Sequence, residues 1–200
     1  MRAQRHVTTL ILLLACTGMS IAGTPDATVR AFFSSVSPQS RYSAVVKGIP
    51  TTLEGQSGSG LGASYEIRGG KHLGLEFGML IADVDFELSV PSGSADFGSA
   101  VMIPLTLGMN YHLRREGRLD FYFGPMLSYT LWGNLSNEVG SSKLDSDFGI
   151  GAVLGVDVPL GSSGWTFTVS ARYLRTAAGD ASVEIDVDPI FFSLGLGYDF

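Results

Sequence analysis

The 200-residue chain has no apolar run of 18 residues beyond its extreme N-terminus, which excludes a helical membrane bundle. Charge is scarce: 16% of residues are Asp, Glu, Lys or Arg, against roughly a quarter in an ordinary soluble domain. There is one cysteine, Cys16, and it lies in the first 22 residues, so a chain cleaved after them has no disulfide. Runs of like charge are missing, and the net charge of −6 argues against nucleic-acid binding. What is plentiful is apolar residues (45%), aromatics (10%) and 26 glycines, a composition opposed to disorder. A chain rich in apolar residues but without helical spans can cross a membrane only as a closed β-barrel.

The first segment reads as an export signal. Arg2, Arg5 and His6 precede the apolar stretch Val7 to Ala15, and small residues around Ser20-Ile21-Ala22 suit cleavage after Ala22 or Gly23. Leu13-Leu14-Ala15-Cys16 resembles a lipoprotein cleavage site, with Leu14 unusual at its position, so lipidation of Cys16 stays an alternative. Residues 1–22 are therefore assigned to a signal peptide, 23–40 to an N-terminal periplasmic extension, and 41–200 to the barrel. Val29 to Val36 could be a helix, a strand extension or a tether. Losing Arg2 and Arg5 leaves 11 basic against 19 acidic residues.

From residue 41 onward apolar residues recur at every second position, the period of a strand that separates two environments. Ile190, Phe192, Leu194, Leu196, Tyr198 and Phe200 share one face, with Phe191, Ser193, Gly195, Gly197 and Asp199 on the other. The same alternation runs through Leu61 to Arg68, His72 to Ala82, Ile103 to Leu113, Leu119 to Trp132, Phe148 to Leu160 and Trp165 to Leu174, and weakly through Tyr42 to Lys47. These make eight strands. After Ala82 the apolar set changes phase to Val84, Phe86 and Leu88, which predicts a bulge or a segment beyond the membrane. Links after strands two, four and six are short; those after one, three, five and seven span about 48–60, 83–101, 133–146 and 175–187. Short turns alternating with long loops mark an up-and-down antiparallel barrel of the bacterial outer membrane. A soluble lipocalin-like barrel is the rival, but its apolar face would point inward, and here the smaller face is Gly, Ser, Thr and charge.

From about Met102 onward the chain resembles the OmpW family of small outer-membrane barrels. The resemblance rests on Ile103-Pro104-Leu105-Thr106, Leu119-Asp120-Phe121-Tyr122-Phe123-Gly124-Pro125, Asp147-Phe148-Gly149 to Asp157, and Asp188-Pro189 to Phe200. It implies an eight-stranded barrel whose apolar channel is closed toward the periplasm and passes small hydrophobic molecules. Leu194, Leu196, Tyr198 and Phe200 resemble the signal that delivers barrels to the outer-membrane assembly machinery. They also suit a lipid-facing strand end.

Counting inward positions from the short turns predicts two zones. Glu66, Arg68, Glu76, His112, Asp120 and Asp157, with His72, Asn110 and Asp199 nearby, form a polar periplasmic floor. Leu80, Met102, Pro104, Met126, Trp132, Val153, Leu174 and Phe191, with Ala82, line an upper lumen for a small hydrophobic ligand. An eight-stranded barrel is barely wider than its side chains, so opposite charges on the floor should pair and block water. A ligand would then leave sideways, where Pro104 and Pro125 withhold ladder donors in adjacent strands, although each could merely mark a bulge.

The short turns carry Arg68, Lys71, Arg114, Arg115 and Arg118; the long loops are acidic. Basic turns and both termini are thus expected in the periplasm, and acidic loops outside, beside lipopolysaccharide. Asp83, Asp85 and Glu87 share a face and are weak candidates for a divalent cation, with a solvated loop the plainer reading. No cofactor and no nucleic-acid partner is expected. Catalysis is not expected either: beyond the signal segment the only histidines are His72 and His112, both near the short turns, and no motif unites nucleophile and base. The competing functional class is a structural or adhesive barrel acting through its acidic loops.

Overall fold

The computed structural model describes residues 27–39, 41–46, 49–69, 72–113, 119–137, 140–179 and 184–200. Among them, eight long strands form a closed ring: β1 (Ala27–Ser37), β4 (Gly58–Gly69), β5 (Leu73–Val90), β6 (Gly93–His112), β7 (Asp120–Trp132), β10 (Asp147–Pro159), β11 (Trp165–Arg175) and β14 (Ile190–Asp199). Every neighbour is antiparallel, and β1 pairs with β14 from Thr28↔Asp199 to Ser37↔Ile190 to close the ring. Six shorter strands sit in the long connections: β2 (Arg41–Val46) with β3 (Ile49–Gly55), β8 (Asn134–Asn137) with β9 (Gly140–Lys143), and β12 (Ala177–Gly179) with β13 (Glu184–Asp186).

Strand alternation is the cause of this arrangement. Odd positions of β5 (Leu73, Leu75, Phe77) and of β6 (Leu105, Leu107, Met109) stay exposed, while Gly74, Glu76, Gly108 and Asn110 between them are buried inside. Leu61, Phe121, Phe123, Leu127, Ile150, Leu154, Phe167, Leu194 and Leu196 continue this belt around the ring. An exposed apolar surface of that extent belongs against hydrocarbon. Aromatic rings gather on it near the short-turn end, where Trp165, Tyr198 and Phe200 contact edge-on at 5.2 and 5.0 Å, as at a membrane-water boundary. In the Leu160–Trp165 turn, Gly161 and Gly164 hold φ near +80°, which a side chain would resist.

Three expectations are corrected. Tyr42 to Lys47 is not the first wall strand, and residues 27–37 are not an extension. Ala27–Ser37 is the wall strand, paired on both edges, whereas Arg41–Val46 belongs to a hairpin in the first long connection. Both faces of β1 are mixed, with Val29, Ala31, Phe33 and Ser35 outward and Arg30, Phe32, Ser34 and Val36 inward, so no apolar stripe announced it. Residues 83–101 are not an open loop either: β5 and β6 continue as one hairpin to Val90 and Gly93. The inward phase never changes, since Leu80, Ala82, Val84 and Phe86 are all buried. What changes is the outer face, from Leu75 and Phe77 to Asp83 and Asp85, as the strand leaves the apolar belt. The one register shift lies higher, between Phe86 and Glu87. Thr52–Gly55 of β3 adds to this hairpin and Ser136 meets Ser99, giving a sheet that projects beyond the wall.

Candidate functional site

The lumen is filled in two layers, as its inward positions suggested. At the short-turn end, Arg30 is fully buried and reaches three carboxylates: Nη1 to Glu66 at 2.7 Å and Glu76 at 3.2 Å, Nη2 to Asp157 at 2.6 Å. Arg68 lies 3.3 to 3.6 Å from Glu66, Asp120 and Asp157. His112 bridges Glu66 through Nε2 (2.6 Å) and Asp120 through Nδ1 (2.8 Å). Arg172 closes the set on Glu76 at 3.1 Å, and Thr168 donates to Asp157 at 2.6 Å. Strands β1, β4, β5, β6, β7, β10 and β11 all contribute, so the floor is a cross-brace as well as a plug.

Local sequence makes the room. Gly155 lies under Tyr122 and Gly74 under Glu66, and a Cβ at either would come within 3.0 Å of those side chains. The Arg30 guanidinium sits 5.1 Å from the centroid of the Tyr122 ring.

All six expected floor residues, Glu66, Arg68, Glu76, His112, Asp120 and Asp157, meet in this network. His72 does not: it is exposed, stacks on Tyr111 and donates from Nδ1 to the His112 carbonyl at 2.8 Å. Arg30 and Arg172 were missed as site residues. A signal existed for Arg30: the expected floor held four acids against Arg68 and His112, so a buried cation was wanting.

The second layer lies above this network. Leu80, Met102, Pro104, Met126, Trp132, Val153, Leu174 and Phe191 all point inward and are buried. They form one apolar column that continues upward through Val84, Phe86 and Ala100 into the projecting sheet. At the long-loop end the segment after β11 folds across this column. Trp132 Nε1 donates to the Ala177 carbonyl (2.9 Å), and Ala177, Ala178 and Val187 are buried there. Asp147 holds that segment, accepting from the Ala177 amide (2.8 Å) and the Thr176 hydroxyl (3.0 Å).

Between the layers lies a cavity of about 20 Å³, lined by Phe32, Ser34, Leu80, Pro104, Thr106, Met126, Arg172, Leu174, Phe191 and Ser193. That is room for roughly one water, so the lumen is no open pore. The wall beside it is incomplete. On the β5 side of β6, the ladder skips the pairs opposite Pro104 and Ile103, between Met79↔Leu105 and Ala82↔Met102. On the β6 side of β7 it skips those opposite Pro125 and Gly124, between Gly108↔Met126 and Tyr111↔Phe123. Each proline thus opens a different seam, and both seams border β6.

Leu194, Leu196 and Phe200 are exposed on the belt, and Tyr198 shares their face. Asp83, Asp85 and Glu87 follow one another up the outer face of β5, at spacings of roughly 7 Å. Among the described residues no group of three His, Cys, Asp or Glu converges as a metal site would require. Cys16, Lys71, Arg114, Arg115 and Arg118 lie outside the described residues.

Comparison with known proteins agrees with the geometry. Residues 8–200 match the family described as outer membrane protein beta-barrel domain. An uncharacterized outer-membrane protein, y4mB of Sinorhizobium fredii, is 31% identical over 113 residues, 52% of this chain and 49% of the relative; the chain thus matches about half that protein's length. The crystal structure of OprG from Pseudomonas aeruginosa superposes with a TM-score of 0.74 at 21% identity, covering 88% of this chain and 96% of OprG. The solid-state NMR structure of AlkL in lipid bilayers does so with a TM-score of 0.62 at 21% identity, covering 90% and 93%. These two share its fold.

Proposed function

The chain belongs to the outer membrane protein beta-barrel domain family, and on that premise we propose that it is a small barrel of the OmpW-like kind that admits small hydrophobic molecules through its upper lumen. The observation that carries this reading is the apolar column standing on a sealed ionic floor. A charged plug braced by buried pairs resists both apolar solutes and water, so a molecule arriving from above leaves sideways. The two seams broken at Pro104 and Pro125 are the weakest wall beside the cavity. Short turns and both termini face the periplasm in this reading, and the acidic projecting sheet faces outward beside lipopolysaccharide. Residues 1–22 serve as export signal, and the Leu194-to-Phe200 face engages the assembly machinery.

The protein is read as non-catalytic. His112 is held between two carboxylates and His72 is tied to a backbone carbonyl, which leaves neither poised beside a nucleophile.

Uptake of a small alkane by cells carrying the protein tests the reading. Pro104→Ala or Pro125→Ala restores a ladder donor, and we expect uptake to fall several-fold at unchanged surface level. Equal uptake in cells with and without the protein would remove the transport reading. It would favour an adhesive barrel, for which the hairpin of β5 and β6 projecting with Asp83 and Asp85 outward is the supporting feature.

A further inference from the structure

We propose that the cavity between the layers is a head-group site for small amphipathic carboxylates, with Arg172 as the recognising residue. The inference rests on the uptake reading above and narrows its substrate class. Arg172 is the one charged side chain lining the cavity, and its burial is nearly complete. A guanidinium carries five N–H donors. Nη1 donates one to Ser170 at 3.2 Å and Nη2 one to Glu76 at 3.1 Å; the other three have no acceptor among the described residues. One face of the group is covered by the Phe32 ring, 4.7 Å from its centroid, which fixes the plane and directs the free N–H groups edge-on.

A wholly apolar occupant would bury those donors without a partner, and each unmet donor costs its desolvation. A carboxylate meets them in pairs, in the planar geometry that suits a guanidinium fork. Glu76 does not cancel this preference, because its second oxygen is already bound to Arg30. Ser34 and Ser193, 2.7 Å apart on the cavity wall, offer further hydroxyl contacts. A carboxylate is larger than the single water the cavity holds, so the head group seats against Arg172 as Met126 on the cavity wall gives way. The tail would lie along the column above, where Met126 and Met102 are the flexible side chains able to move aside.

The test uses the protein in nanodiscs, in a Trp165→Phe background so that Trp132 alone reports from the lumen. Octanoate, 1-octanol and octylammonium are titrated at one pH and salt concentration, with heats corrected for partition into empty discs. Octanoate is expected to bind at least tenfold more tightly than octylammonium, with Arg172→Gln abolishing the difference and Arg172→Lys restoring part of it. Heat-modifiable migration in SDS gels establishes that each variant is folded; should Arg172→Gln not fold, the three probes on the wild-type residue still decide. Equal binding of all three overturns the head-group site while leaving the uptake reading intact. Binding of none overturns both.

Discussion

Arg30 is the residue on which the floor turns. Three carboxylates from β4, β5 and β10 converge on one guanidinium, none of it exposed. Replacing it leaves buried negative charge unpaired, and loss of one partner of such a pair costs about 3–5 kcal/mol. Arg30→Met is therefore expected to lower unfolding free energy by that order in urea titration of the lipid-embedded protein. It should also raise single-channel conductance from a closed baseline as water enters the plug. Gly155 gives a complementary case. A methyl there would collide with the Tyr122 ring, and overpacking costs roughly 1–3 kcal/mol, so Gly155→Ala should destabilise by that amount and Tyr122→Leu should recover most of it. Residue-level reading of the sequence succeeded where a side chain's phase was set by a long apolar neighbour row, as for Met126 between Pro125 and Leu127. It failed at Arg30 because the outward positions of its strand include Ala31 and Ser35, too small to mark a lipid face.

At the scale of elements, the wall strands were legible and the loop strands were not. Seven of the eight wall strands carry large apolar residues on one face over most of their length, which lipid contact requires and which alternation exposes. Strands β2, β3, β8, β9, β12 and β13 lie in the long connections, where among the described residues only β3 and β8 pair with wall strands, so nothing in their composition enforces period two. The β5–β6 hairpin was half legible: the inward residues of β5 stay apolar from Leu80 to Phe86, but its odd residues turn acidic at Asp83 because the strand has left the apolar belt. The segment after β11 is fastened by two carboxylates, Asp147 through the Ala177 amide and the Thr176 hydroxyl, and Asp188 through the Thr176 amide. Asp147→Ala should loosen it and expose Trp132. In the Trp165→Phe background, acrylamide quenching of Trp132 is expected to rise about two-fold, with unfolding free energy lowered by about 1–2 kcal/mol.

At the scale of the whole molecule, the apolar belt and the polar ends divide the surface by solvent. Leu127 is exposed in the belt and Asp85 is exposed above it. An arginine in the lipid-facing middle of a barrel wall costs about 2–4 kcal/mol, and one near or beyond the boundary costs about 0–1. Leu127→Arg should therefore destabilise the folded protein in bilayers by the larger amount and Asp85→Arg by the smaller, as read from urea midpoints.

The ring closes where β1 meets β14, along ten residue pairs that join Thr28–Ser37 to Ile190–Asp199. No earlier pairing can substitute for it, because β1 has one other neighbour, β4. Until β14 is in place, β1 and β11 each present a bare edge of amide and carbonyl groups, which hydrocarbon does not tolerate. Insertion is therefore tied to a contact between segments more than 150 residues apart, and such distant contacts form late and slowly. A chain lacking β14 is not a slightly weakened barrel but an open ribbon, barred from the bilayer and left in water as an aggregation template. The passage of this protein from unfolded polypeptide to membrane resident is governed by one zip of backbone pairs, and a catalyst of its insertion would act by holding β1 and β14 apart until the rest of the ribbon has curled.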